Sequence, residues 1–185
     1  MKTTIISAAI TLALTGTTGL ADEVTETLQS ALTAYEEGDL QYALEELDYA
    51  KQLMLTMKTD ALSGFLPDAP EGWTREINSE INASLGMMGG GVGAEAEYVG
   101  DGDSFTITIL ADNPMVGAMS AMIGNAAAMG MKVERIGREK FAVQDDTVQG
   151  LVDNRILVKA EGGDVPTMLK LLEEIDYREL GRFGQ

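Results

Sequence analysis

Between Gly64 and Gly72 the chain changes hydrophobic period, and this limits it to one helical part followed by one sheet-bearing part. Before the change, Val24, Leu28, Ala31, Leu32 and Tyr35 recur at helical spacing, as do Leu40, Ala43, Leu44, Leu47, Ala50, Leu53, Met54 and Met57. Gly38 ends the first stripe as a glycine cap, and Asp39 starts the second as an N-cap. The spacing predicts a helical hairpin over 22–66. Pro67 and Pro70 stop the second helix, because proline lacks the amide hydrogen and disfavours helical geometry in the residue before it.

After Gly72 the pattern shortens. Trp73 to Ile77 predicts a first strand, and Met87-Met88-Gly89-Gly90-Gly91 is too rich in glycine for a stable element. Val92 to Val99 and the alternating Phe105, Ile107 and Ile109 predict a β-hairpin turning at Gly100-Asp101-Gly102-Asp103. Asn113 and Pro114 open a helix expected to run to about Met129, where Gly130 stops it. Three more strands are expected at 132–136, 139–144 and 154–160, linked by turns at Gly137 and across 145–150. Asp164 caps a last helix with Met168, Leu169, Leu172 and Ile175 on its apolar side. The fold class is therefore α+β: an N-terminal helical hairpin (22–66), then an antiparallel sheet covered by helices (73–185).

The first 21 residues have the form of a secretory leader: Lys2, an apolar run from Ile5 to Leu14, and Gly19-Leu20-Ala21 before a cut. Its apolar run is too short to span a bilayer, and with no cysteine in the chain it cannot be a lipoprotein signal. The expectation is an exported, periplasmic or secreted chain beginning near Asp22, with no stable membrane insertion after cleavage. That chain has 12 Lys and Arg against 30 Asp and Glu, a net charge of −18 over 164 residues. Such a field repels nucleic acid and anionic lipid, and it keeps a surface soluble.

Two resemblances follow from these patterns. Ala34-Tyr35-Glu36-Glu37-Gly38-Asp39-Leu40, continued by Ala43, Leu47 and Ala50, resembles one tetratricopeptide repeat. A solenoid needs about three such units, so a single hairpin implies packing on another surface, including a homodimer through the hairpin. The element order after Gly72 resembles the PsbP/Mog1/DcrB-type α/β sandwich. Leu66-Pro67-Asp68-Ala69-Pro70-Glu71-Gly72-Trp73, Asp112-Asn113-Pro114-Met115 and Ile175-Asp176-Tyr177 also look like a group of exported bacterial proteins of unassigned function. The sandwich resemblance implies an accessory role with a protein partner in the cell envelope, and the resemblance to the exported group, over about residues 66–180, carries no activity with it.

Chemistry is confined by what the chain lacks. Without His or Cys it builds no Ser-His-Asp triad, thiol nucleophile or zinc site of the usual ligands, so the reading is of a non-enzyme with no catalytic residues and no cofactor. Ser79 and Ser104 have no lysine nearby in sequence to activate them. Gly89, Gly91 and Gly93 are not followed by Lys-Ser or Lys-Thr, so they form no phosphate loop. Asp101-Gly102-Asp103-Ser104 begins like a calcium loop, but Thr106 stands where glycine is needed and Asp112 where glutamate is needed. The one excess is methionine. Met115, Met119 and Met122 recur on one helix, with Met129 beyond them and Met87, Met88 and Met131 near its ends. In an exported chain without cysteine, those three thioethers are candidate ligands for Cu(I) or Ag(I). Methionine at helical spacing is also ordinary core filler.

Overall fold

A computed structural model describes residues 18–185 except Ser79, Met88 and Asp101, and leaves the side chains of Thr18 and Met87 undescribed. Most of the expected leader, the Ser79 and Met88 candidates and the first residue of the calcium-like loop lie outside the described residues. The chain divides into two units, one ending at Met54 and one running Leu55–Gln185. Among the described residues no helix is long and apolar enough to cross a membrane.

The first unit is the expected hairpin. Helix α1 spans Thr18–Glu37 and α2 begins at Leu40, continuing to Ser63. Gly38 takes φ 86°, a left-handed conformation that glycine adopts without strain, and Asp39 Oδ1 accepts from the Tyr42 amide at 3.1 Å to cap α2. The interior of this pair is made of small residues. Thr27, Ala31 and Ala34 of α1 and Ala43 and Ala50 of α2 are buried, joined by Leu53.

The second unit is α+β, built on a seven-stranded antiparallel sheet in the order β1-β2-β3-β7-β6-β5-β4. Its strands are β1 (Thr74–Ile77), β2 (Val92–Gly100), β3 (Asp103–Ala111), β4 (Lys132–Ile136), β5 (Glu139–Gln144), β6 (Thr147–Val152) and β7 (Ile156–Glu161). Four strands follow the central helix where three were expected. The segment 145–150 is not one long turn: Asp145, at φ 52°, makes a tight turn and Thr147 begins β6. Gly150 lies inside that strand because a Cβ there would stand 2.8 Å from the Phe141 ring.

Strand alternation gives the sheet two unlike faces. One carries Val92, Ala94, Ala96 and Tyr98 of β2, Phe105, Ile107 and Ile109 of β3, and Ile156, Val158 and Ala160 of β7. Helix α5 (Val165–Leu172) covers it with Met168, Leu171 and Leu172, and α6 (Tyr177–Leu180) adds Leu180. Leu62 and Leu66, from the end of α2 and the turn after it, belong to the same core. The units therefore divide at 54/55, ahead of the proline-rich break: the last turns of α2 are bound by burial to the sheet.

The other face is covered over one part only, by α3 (Ile81–Met87) and α4 (Pro114–Gly124). Val116, Met119 and Ile123 of α4 pack on Leu110, Leu151 and Leu157, and Ile81 and Leu85 of α3 lie over Gly93. Asn113 caps α4, accepting from the Met115 amide at 2.8 Å, with Pro114 in the first turn. The helix ends at Gly124, five residues before the expected stop, and 125–130 are turns.

Candidate functional site

The hairpin in the first unit is inside out in residue size. Ala31, Ala34, Ala43 and Ala50 face inward, Ala50 fully buried, while Leu28, Leu32 and Tyr35 of α1 and Leu40, Leu44, Leu47 and Met54 of α2 are exposed. Tyr35 keeps 64% of its surface, Leu44 60% and Leu32 49%. On α1 each exposed residue follows a buried one, Leu28 after Thr27, Leu32 after Ala31 and Tyr35 after Ala34, an offset of about 100° round the helix. On α2 the exposed line lies to the same rotational side of Ala43 and Ala50. Two antiparallel helices offset in one rotational sense turn these lines to a single side of the pair. From the individual exposures the seven residues present roughly 700 to 800 Å² there, more than a monomer ordinarily leaves uncovered in one patch.

The opposite side sets the exposed rings of Tyr42 and Tyr49, 45% and 49% exposed, among polar residues. Tyr49 donates its hydroxyl to Glu23 Oε1 at 2.6 Å, and that carboxylate holds the phenol above its ordinary pKa, first through the hydrogen bond and then by charge. Thr33, Glu26 and Glu37 complete this flank. Between Asp22 and Met54 there are nine Asp and Glu and one basic residue, Lys51. Lys51 falls in the heptad line 40, 44, 47, 51, 54, is exposed, and makes no ion pair among the described residues.

The second unit has its own concavities. One, of about 1000 Å³, lies between the β4–β5 turn and the C-terminal helices. Arg138, Arg178 and Arg182 line it, half of the chain's six arginines. Glu139, Asp153, Glu173 and Asp176 line it as well, so the field inside is mixed in sign. Burial, and secondarily Asp153, raises the Glu139 carboxyl above its usual value. The Tyr177 hydroxyl donates to the Leu172 carbonyl at 2.7 Å, and burial raises its pKa strongly. Among the described residues that line it, none pairs a nucleophile with a base.

The methionine candidates separate by environment. Met119 is packed on the second face of the sheet, whereas Met115 and Met122 stand at the rim of α4, 45% and 36% exposed. Met129 is exposed in the turns beyond α4. Among the described residues no group of Asp and Glu is placed to hold a metal ion. Asp103 of the calcium-like loop accepts the Asp164 amide at 3.0 Å, tying β3 to the start of α5.

Sequence reasoning did not find the anchor at the other end of the sheet. Asp112, at φ 57°, receives Lys58 at 2.9 Å and Arg155 at 3.1 Å, and Arg155 also donates to the Phe183 carbonyl at 2.6 Å. The Lys58 hydrogen bond, reinforced by Arg155, lowers the Asp112 pKa. These residues are 43 and 54 positions apart, a separation at which charges alone carry no pairing signal.

No family model, curated protein or solved structure matches this chain.

Proposed function

We propose that this is an exported, non-enzymatic binding or assembly protein of the cell envelope whose working surface is the Leu28, Leu32, Tyr35, Leu40, Leu44, Leu47 and Met54 face of the hairpin. The observation that carries the reading is the inverted packing: Ala31, Ala34, Ala43 and Ala50 are inside, with Leu53, while Leu28, Leu32, Leu40, Leu44 and Leu47 are outside. A hairpin folded for its own stability would bury the leucines, each worth about 1.5 to 3 kcal/mol on burial. Leaving them on one side has a physical use when another surface covers them. The leader-like first 21 residues and the absence of His and Cys support an exported role without catalysis.

The test is photo-crosslinking in the native host, with a benzophenone amino acid at position 32 or 44 and, as a control, at Thr33 on the polar side. Adducts from 32 and 44 but not from 33 are expected. Absence of adducts at all three, or equal adducts from both sides, would overturn the reading.

A further inference from the structure

Resting on that reading, we propose that the occupant of the hairpin face is a second copy of this chain, packed hairpin to hairpin about a two-fold axis as a four-helix bundle. Three observations point to it. First, the exposed line of α2 keeps a heptad rhythm, 40, 44, 47, 51 and 54, and α1 answers with 28, 32 and 35; this is the spacing by which helices interdigitate in bundles. Second, the face offers roughly 700 to 800 Å², the contribution of one partner to a standard stable interface, and an isologous dimer uses the same patch twice.

Third, charge placement suits self-association. Lys51 is the one charged residue within the apolar line, and it has no carboxylate partner among the described residues. Glu36 and Asp48, each next along the helix after Tyr35 and Leu47, border the same face. A second copy brings its own Glu36 and Asp48 to the rim, within reach of a long lysine side chain that spans the seam. Glu23, Glu26 and Glu37 lie on the flank turned away from the seam. Their mutual repulsion gives the dimer a signature: added salt tightens it, whereas a cationic partner would be released by salt.

The full chain, produced with its own N-terminus, is examined by sedimentation velocity from about 1 to 100 µM and from about 20 to 300 mM NaCl. The expected result is a reversible dimer that strengthens severalfold with salt. The Leu32→Glu/Leu44→Glu variant is expected to weaken it by about 100-fold or more, because it places four carboxylates in the seam. Circular dichroism checks that the variant keeps its helices, and Thr33→Glu is expected to associate as the wild type does. Lys51→Glu, which removes no apolar group, is expected to weaken the dimer about 10-fold. A chain that stays monomeric throughout overturns the proposal.

The crosslinks separate the two claims. An adduct from position 44 with the mass of two chains supports the second copy. An adduct of another mass, with a monomeric purified chain, leaves the hairpin reading standing and removes the second copy. No adduct and no dimer removes both.

Discussion

Replacing Leu62 by alanine tests whether the end of α2 belongs to the sheet's core. Leu62 precedes the two prolines, so by sequence it falls with the hairpin, yet it is fully buried in the cluster that includes Tyr98, Ile107, Ile109 and Leu172. Truncation removes the transfer energy of the lost side-chain carbons and leaves a cavity that the strands cannot close. Together these cost about 3 kcal/mol. Spread over the entropy of a unit of this size, that lowers the melting temperature by roughly 10 °C. The assay is urea unfolding followed by fluorescence of Trp73, the one tryptophan, which lies against Gly100 and packs on Phe105 at 5.5 Å between ring centres. A reduced midpoint with an unchanged slope is expected. A midpoint within error of wild type would show that the end of α2 adds nothing to the sheet, and the division at 54/55 would have to move toward the prolines.

Three further outcomes follow from the same packing. Tyr98 donates to the Pro67 carbonyl at 2.7 Å, and Arg75 also serves that carbonyl at 2.8 Å, so Tyr98→Phe is expected to cost only about 1 kcal/mol in urea unfolding. Burial raises the Tyr98 pKa to about 12 from 10.0, so its stabilisation is complete below pH 10 and is lost as pH climbs toward 12; alkaline unfolding in that window should be blunted in Tyr98→Phe. Asp112, with its pKa lowered by Lys58 first and Arg155 second, stabilises the fold above its ordinary 3.8, and that contribution disappears as pH falls through the lower folded value. Because its side chain is 39% exposed, Asp112→Asn should cost under about 1 kcal/mol at neutral pH and flatten the acid limb of the stability profile. In anaerobic competition for Cu(I), the wild type and a Met115→Leu/Met119→Leu/Met122→Leu variant are expected to perform alike, because Met119 is partly buried against the sheet while Met115 and Met122 stand at the rim of α4; tighter binding by the wild type would instead establish the three as ligands.

The sequence shows what local chemistry determines. Gly38 and Asp39 mark the hairpin turn, Asn113-Pro114 and Asp164 mark two helix starts, and the alternation at 105–109 marks β3. The exposed leucine line was present but merged with the buried one. Ala31 and Leu32, or Ala43 and Leu44, fall in one helical stripe, and periodicity does not say which half of a broad stripe a partner helix covers. Strand β6 was hidden because Asp145, Asp146 and Gly150 carry the composition of a loop, while the need for Gly150 lies in the close approach of Phe141. Helix α3 has seven residues beside a glycine run, too few for a period to register. In α4 the uncharged stretch continues to Met131, so sequence saw no reason to stop at Gly124. The arginine-lined cleft gathers residues from 138 and from 178–182, which only the folded sheet brings together.

The most direct measurement of the central claim uses the absence of native cysteine. Single Leu44→Cys and Thr33→Cys variants, assembled in their native setting, are labelled with a maleimide and compared with the same chains unfolded in urea. If the leucine face of the hairpin is covered by a partner, the thiol at position 44 reacts at least about 10-fold more slowly than the one at 33, and the difference vanishes on unfolding. Equal rates at the two positions in the assembled state would contradict the account.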